Sequence, residues 1–177
     1  MVTMEEKILP SPERARDVNV EWEAVEATVQ TALPNDYKEF IQRYGTGKID
    51  DFLWVLSPAT NNSHLKLAQR KDAILRALRE HRESLAGLGR KLPFAIFPEP
   101  GGLLPWGFTD NGDVCYWRTG SDPNTWRVVV NDGRGSMWEE FAGTMTEFLT
   151  ALLSRRHVSE ILTNDEFPSD LISFRPV

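Results

Sequence analysis

The segment Leu104–Arg118 constrains the fold more than any other. Two alternating apolar runs, Leu104-Pro-Trp106-Gly-Phe108 and Val114–Arg118, flank the turn Asp110-Asn111-Gly112-Asp113. Asn and Gly both tolerate positive φ, and turns of that kind match the right-handed twist of paired strands, so the pattern predicts a β-hairpin. A further run, Trp126–Asn131, places Trp126, Val128 and Val130 on one face and predicts another strand. Shorter apolar runs predict two more: Phe52–Leu56, ended by Pro58, and Phe94–Phe97, between Pro93 and Pro98.

On either side of these runs the periodicity turns helical. Trp22, Val25 and Val29 share one face of a helix that Asp17 or Asn19 can cap. Pro34 opens a second helix, where a missing N–H costs nothing. Tyr37, Phe40, Ile41 and Tyr44 form its stripe, and Gly45 is its left-handed stop. Asn61, Asn62 and Ser63 offer caps to a long helix over residues 63–86, striped by Leu67, Ile74, Leu78 and Leu85 and broken by Gly87 and Gly89. Trp138, Phe141, Met145, Phe148, Leu149 and Leu152 recur at helical spacing and predict a C-terminal helix. Helices flanking a run of hairpins give the fold class α+β: a central, mainly antiparallel sheet with N-terminal helices, a long middle helix and a C-terminal helix.

The chain divides into three regions. Residues 1–16, interrupted by Pro10 and Pro12, read as a flexible N-terminal arm, and residues 17–153 as the domain. Residues 154–177, with Ile161, Leu162, Phe167, Leu171, Ile172 and Phe174, read as an extension packed on it. Trp22, Tyr37, Phe40, Trp106 and Trp138 are expected in the core, while Trp117 and Trp126 are the aromatics most open to exposure.

Charge narrows the partner. Of the 177 residues, 41% are hydrophobic, enough for a core and against disorder, and the net charge is −6. Residues 61–91 carry eight Lys/Arg against three Asp/Glu, whereas the rest of the chain is net acidic. An acidic surface repels phosphate backbones and draws in basic partners, mainly through on-rate, so no nucleic-acid partner is expected. The basic helix is expected to lay its apolar stripe on the sheet with its cations around the rim. The apolar run Phe148–Leu153 is far shorter than the ~20 residues of a membrane span, and Met1–Pro12 lacks the apolar stretch of a secretory signal. No membrane partner and a cytoplasmic location are expected; the oligomeric state stays open.

No reaction chemistry stands out. His64, His81 and His157 lie far apart without the i, i+4 partner of a helix-borne metal site, so they read as solvated and no metal is expected. The single cysteine, Cys115, lies among apolar strand residues and reads as a small buried hydrophobe. Asp110, Asn111 and Asp113 do not alternate as calcium ligands would. Gly133-Arg-Gly-Ser136 lacks the glycine spacing of a nucleophile elbow, and Gly45-x-Gly47 follows a helix, the wrong context for a dinucleotide. Neither a cofactor nor enzymatic activity is expected.

Trp22-Glu23-x-Val25-Glu26, then Leu33-Pro34-x-Asp36-Tyr37-x-x-Phe40-x-x-x-Tyr44-Gly45-x-Gly47, then Ile49 and the strand ending at Pro58, resemble the N-terminal signature of the SUKH superfamily. More narrowly, they resemble its branch related to the yeast cell-wall assembly regulator. Leu104-x-Trp106-Gly107-Phe108-Thr109-x-Asn111-Gly112-Asp113, followed by Tyr116-Trp117, is similar to the family's hairpin, and the likeness runs from about Val18 to Leu153. The resemblance implies an α+β domain without catalytic activity. Many bacterial members are immunity proteins that bind and neutralise a cognate toxin, often a nuclease; eukaryotic members look like scaffolds in cell-wall signalling. The expected partner is therefore a cognate protein toxin. Charge and aromatic content place the expected partner-binding surface at Asp50, Asp51 and Phe52, at the turn from Asp110 to Asp113, at Glu99, and at the loop from Asp122 to Trp126.

Overall fold

The expected hairpin forms, with Gly112 alone of the Asn-Gly pair at positive φ. Gly112 takes φ 91° and donates its N–H to the Thr109 carbonyl at 3.0 Å, and the Thr109 N–H reaches the Asp113 carbonyl at 2.9 Å. A computed structural model describes residues 8–12 and 19–177. In it the hairpin is the centre of one antiparallel sheet: β1 (Gly47–Ile49), β2 (Leu53–Val55), β3 (Leu103–Thr109), β4 (Val114–Arg118), β5 (Arg127–Asn131), β6 (Trp138–Phe141) and β7 (Phe174–Pro176). The spatial order β6-β5-β4-β3-β2-β1-β7 makes the first six strands a meander, and the chain's last segment adds the seventh strand beside the first. Four helices complete the described residues: α1 (Trp22–Val29), α2 (Asn35–Tyr44), α3 (Leu67–Gly87) and α4 (Met145–Leu153). This is the α+β arrangement that the sequence predicts.

The helices divide between the two faces of the sheet. On one face, Tyr37 of α2 meets Trp117 edge-on at 5.0 Å, and Phe148 of α4 meets Trp106 at 6.3 Å and Phe141 at 5.4 Å. Ring pairs of this geometry each add about 0.5–1.5 kcal/mol beyond their burial. The Tyr37 hydroxyl donates to the Leu56 carbonyl at 2.7 Å, and burial raises its pKa. On the other face α3 buries Leu67, Ile74, Leu75 and Leu78, while Arg70 sits over the Phe108 ring and Arg79 donates to the Phe97 carbonyl. The basic helix thus covers the sheet, but not all its cations stay at the rim: Lys71 is buried, with its ammonium 2.7 Å from Asp72.

Trp117 and Trp126 are buried, which settles their place in the core, while Trp22 and Trp138 are only partly so. A second difference comes from a β-bulge. The register of β3 against β4 slips between Pro105 and Gly107, leaving Trp106 without a cross-strand partner. A bulge inserts one residue and turns every later side chain of the strand to the opposite face. Trp106 therefore packs toward α4, while Phe108, which simple alternation puts on the same face, stacks with Trp54 under α3.

Three local expectations are corrected. Trp138–Phe141 is strand β6 and not the start of the C-terminal helix, because Thr144 begins the helix with a capping box closed by Glu147. Phe94–Phe97 is not a strand; only Ile96 makes a bridge, to Leu103, since flanking prolines deny the run a ladder. The N-cap of α1 is Glu21 rather than Asn19, and Asp17 lies outside the described residues. Of the arm, residues 1–7 and 13–16 likewise lie outside them, but Leu9 is fully buried and its carbonyl accepts the Tyr44 hydroxyl at 2.8 Å.

Candidate protein-binding surface

Antiparallel meandering puts the β1–β2, β3–β4 and β5–β6 turns at one end of the sheet and the β4–β5 connection at the other. The eight residues expected to bind a partner are divided by this geometry. Asp50, Asp51, Phe52, Asp110 and Asp113 lie at the first end, whereas Glu99, Asp122 and Trp126 lie toward the second. They do not form one surface.

Three of the eight are not surface residues at all. Phe52 is buried against Phe167, and Trp126 is buried against Trp117 with its indole N–H donating to the Gly120 carbonyl. Asp113 is buried as well: its carboxylate accepts the Thr109 hydroxyl at 2.7 Å and the Gly133 N–H at 3.0 Å, joining two turns. The two rings gain by leaving water, and the Asp113 oxygens are committed to partners that offset the cost of burying their charge, which removes these three as contact residues. At the far end, Glu99 pairs with Arg82 of α3 at 2.6 Å and ties its loop to that helix, while Asp122 accepts the Asn124 N–H within its own loop. The Arg82 hydrogen bond holds the Glu99 carboxyl below its ordinary pKa.

The first end is richer than the sequence suggests, because residues 155–177 wrap around it. Asp50 and Asp51 both have φ near +50° and form the β1–β2 turn. The Asp50 carboxylate accepts the Ser169 N–H and the Ser169 hydroxyl, each at 2.6 Å. Asp51 pairs with Arg175 of β7. Lys48 donates to Asp110 at 2.7 Å and lies over the Trp54 ring, whose indole N–H also donates to Asp110 at 2.8 Å. Burial pushes the Asp110 carboxyl up, but the Lys48 and Trp54 hydrogen bonds outweigh it and hold its pKa below the ordinary value.

The tail is anchored at its start too. Glu139 of β6 accepts the Ser159 hydroxyl at 2.9 Å and the Glu160 N–H at 3.2 Å, and lies 2.6 Å from His157 Nε2. His157 is thus part of a sheet-edge network and not a solvated side chain; His64 is exposed and His81 lies half-buried against Gly135. Between these anchors the tail adds exposed Asp165, Glu166 and Asp170, acids absent from the expected surface. In the sequence they show only as charge among scattered apolar residues, and nothing local ties them to Asp50, more than a hundred positions away.

Among the described residues no group of three or more His, Cys, Asp or Glu is placed to hold a metal ion, and no helix is long and apolar enough to cross a membrane. Cys115 is fully buried; burial, and then the charges of Asp113 and Glu139, raise its pKa well above the ordinary value. A thiol in that state is a packing group rather than a nucleophile.

A helix-flanked antiparallel meander of this kind, with its residues 19–149 as the matched part, is an α+β domain of the SUKH superfamily. More narrowly, the family model described as SMI1-KNR4 cell-wall (SUKH_6) matches residues 19–149, and the chain belongs to that family. Comparisons with curated proteins and with solved structures returned no match. The family is in general one of non-catalytic binding modules that engage partner proteins.

Proposed function

We propose that this protein is a non-catalytic immunity protein that binds and neutralises a cognate protein toxin with a basic, nucleic-acid-binding surface. The observation that carries the proposal is the acidic end of the sheet, where Asp51, Asp110, Asp165, Glu166 and Asp170 gather from three distant stretches of chain. Arg175, Lys48 and Arg155 match Asp51, Asp110 and Asp170, and Asp165 and Glu166 supply the charge that no ion pair among the described residues offsets. A nuclease must present cations to phosphate, and a carboxylate-rich surface meets the same cations with opposite charge, speeding capture and covering the substrate site. Family membership supports a binding rather than a catalytic role.

The test is co-expression with the C-terminal domain of a toxin gene adjacent to this one. Host survival and a stable complex at near-stoichiometric ratio are expected; continued toxicity with the chain folded and abundant would refute the proposal. The family's cell-wall description favours one second reading, a regulatory scaffold that binds another cellular protein. That reading predicts a stable complex with a protein that has no toxic activity of its own.

A further inference from the structure

Residues 152–170 enclose a groove of about 550 Å³ at the acidic end. Leu152, Leu162 and Phe167, all buried, form its apolar wall, and Asp165 and Glu166 stand on its rim. Arg155, also lining the groove, is already matched: its guanidinium donates to Asp170 at 2.8 Å and to the Pro168 carbonyl at 2.9 Å. Asp165 and Glu166 have no ion-pair partner among the described residues, so the rim keeps uncompensated negative charge. Val158, which also lines it, holds a large apolar side chain in water at 79% exposed. Monomeric surfaces hold single exposed apolar residues without consequence, but one that lines a groove with an apolar wall and an unpaired acidic rim makes the pattern of an interface centre.

Two further facts separate this groove from the rest of the molecule. It is built by a segment beyond residue 149, where the family match ends. It is also held rigidly, by Glu139 at Ser159 and by Asp50 at Ser169. A loop ordered in advance loses less entropy when it binds.

We infer that the groove of residues 152–170 is the specificity element of this protein, and that its occupant is a basic segment of the partner protein carrying an Arg or Lys beside a Leu-sized apolar side chain. The cation meets Asp165 and Glu166, and the apolar side chain packs beside Val158 against the wall of Leu162 and Phe167. The inference rests on the proposal that the chain binds a basic protein, and deepens it by naming where selection among partners occurs.

The test uses the full chain, isotope-labelled for NMR, and a short amidated peptide alternating leucine and arginine at about 0.15 M salt, where exposed charges are screened beyond about 8 Å. Saturable shifts confined to residues 152–170 are expected. The double variant Asp165→Lys, Glu166→Lys should weaken them at least tenfold while leaving the rest of the spectrum in place, since neither side chain supports the fold. A peptide alternating leucine and glutamate should leave the groove silent. Absence of shifts with the arginine peptide, shifts elsewhere on the sheet, or binding unaltered by the double variant would each overturn the inference. If the chain still protects against the adjacent-gene toxin in that case, the groove assignment alone fails; if protection fails as well, so does the proposed function.

Discussion

Replacing Asp50 with glycine isolates the bond that fastens the acidic tail to the sheet. Asp50 has φ 52°, a left-handed conformation that costs an ordinary residue about 1 kcal/mol and glycine nothing. The substitution therefore adds no backbone strain, and what it removes is the carboxylate that accepts the Ser169 N–H and hydroxyl. Hydrogen bonds to charged groups contribute about 1.5–3 kcal/mol each, and the low end applies to a half-buried pair, giving about 3 kcal/mol for the two. Relief of the left-handed cost offsets about 1 kcal/mol, leaving a net loss of about 2 kcal/mol. Because every 1.4 kcal/mol is a factor of ten, local opening of the tail should become about 30-fold more frequent. Amide hydrogen exchange reads this directly: the Ser169 amide should exchange about 30-fold faster, while amides of Tyr116 and Val129 in the central strands keep their protection. Exchange at Ser169 changed less than threefold, or loss of protection throughout the sheet, would refute the claim that Asp50 is a local clasp.

Other perturbations probe particular contacts. A Cβ at Gly133 would lie 2.8 Å from the Asn111 carbonyl oxygen and 3.1 Å from the Gly112 carbonyl carbon, so Gly133→Ala should push the two turns apart at a cost of about 1–3 kcal/mol and lower Tm by several degrees; an unchanged melting curve contradicts it. The Asp110 carboxyl should titrate below 3.8 by NMR, and Lys48→Met should raise that midpoint. Because the folded value is the lower one, the Lys48–Asp110 contribution is present at neutral pH and disappears as pH falls through the folded midpoint, so a midpoint unmoved by Lys48→Met breaks the assignment. Cys115, fully buried with its thiol pKa raised, should resist a thiol reagent at mildly alkaline pH until the protein unfolds; rapid labelling of native protein contradicts its place in the core.

What was legible in the sequence is what local chemistry determines. Gly112 specifies its hairpin because the turn needs positive φ there, though not at Asn111, and Pro34 with Gly45 brackets α2 because one lacks an N–H and the other tolerates φ 72°. The start of α4 was misread because Trp138, Phe141, Met145 and Phe148 also satisfy a helical period; Ala142-Gly143 and the Thr144–Glu147 capping box were the better signal. The Trp106 bulge defeats strict alternation, since one extra residue moves Phe108 to the opposite face. At the candidate surface, charge pointed correctly to Asp51 and Asp110 as exposed, but it could not show that Asp113 is buried or that Phe52 and Trp126 pack inside. Long-range events decide the rest. β7 pairs with β1 across most of the chain, and Asp50 finds Ser169, through contacts that no window of neighbouring residues contains.

The proposed function rests on one event, the capture of a basic protein by a negatively charged end of the sheet. Stopped-flow association of the full chain with the adjacent-gene toxin domain, followed from about 0.01 to 0.15 M ionic strength, measures it most directly, because the screening length falls from about 30 to 8 Å over that range. Electrostatic capture predicts an association rate that drops tenfold or more as salt rises, and a much shallower salt dependence for the Asp165→Lys, Glu166→Lys variant. A rate indifferent to salt, or equal for wild type and variant throughout, would contradict it.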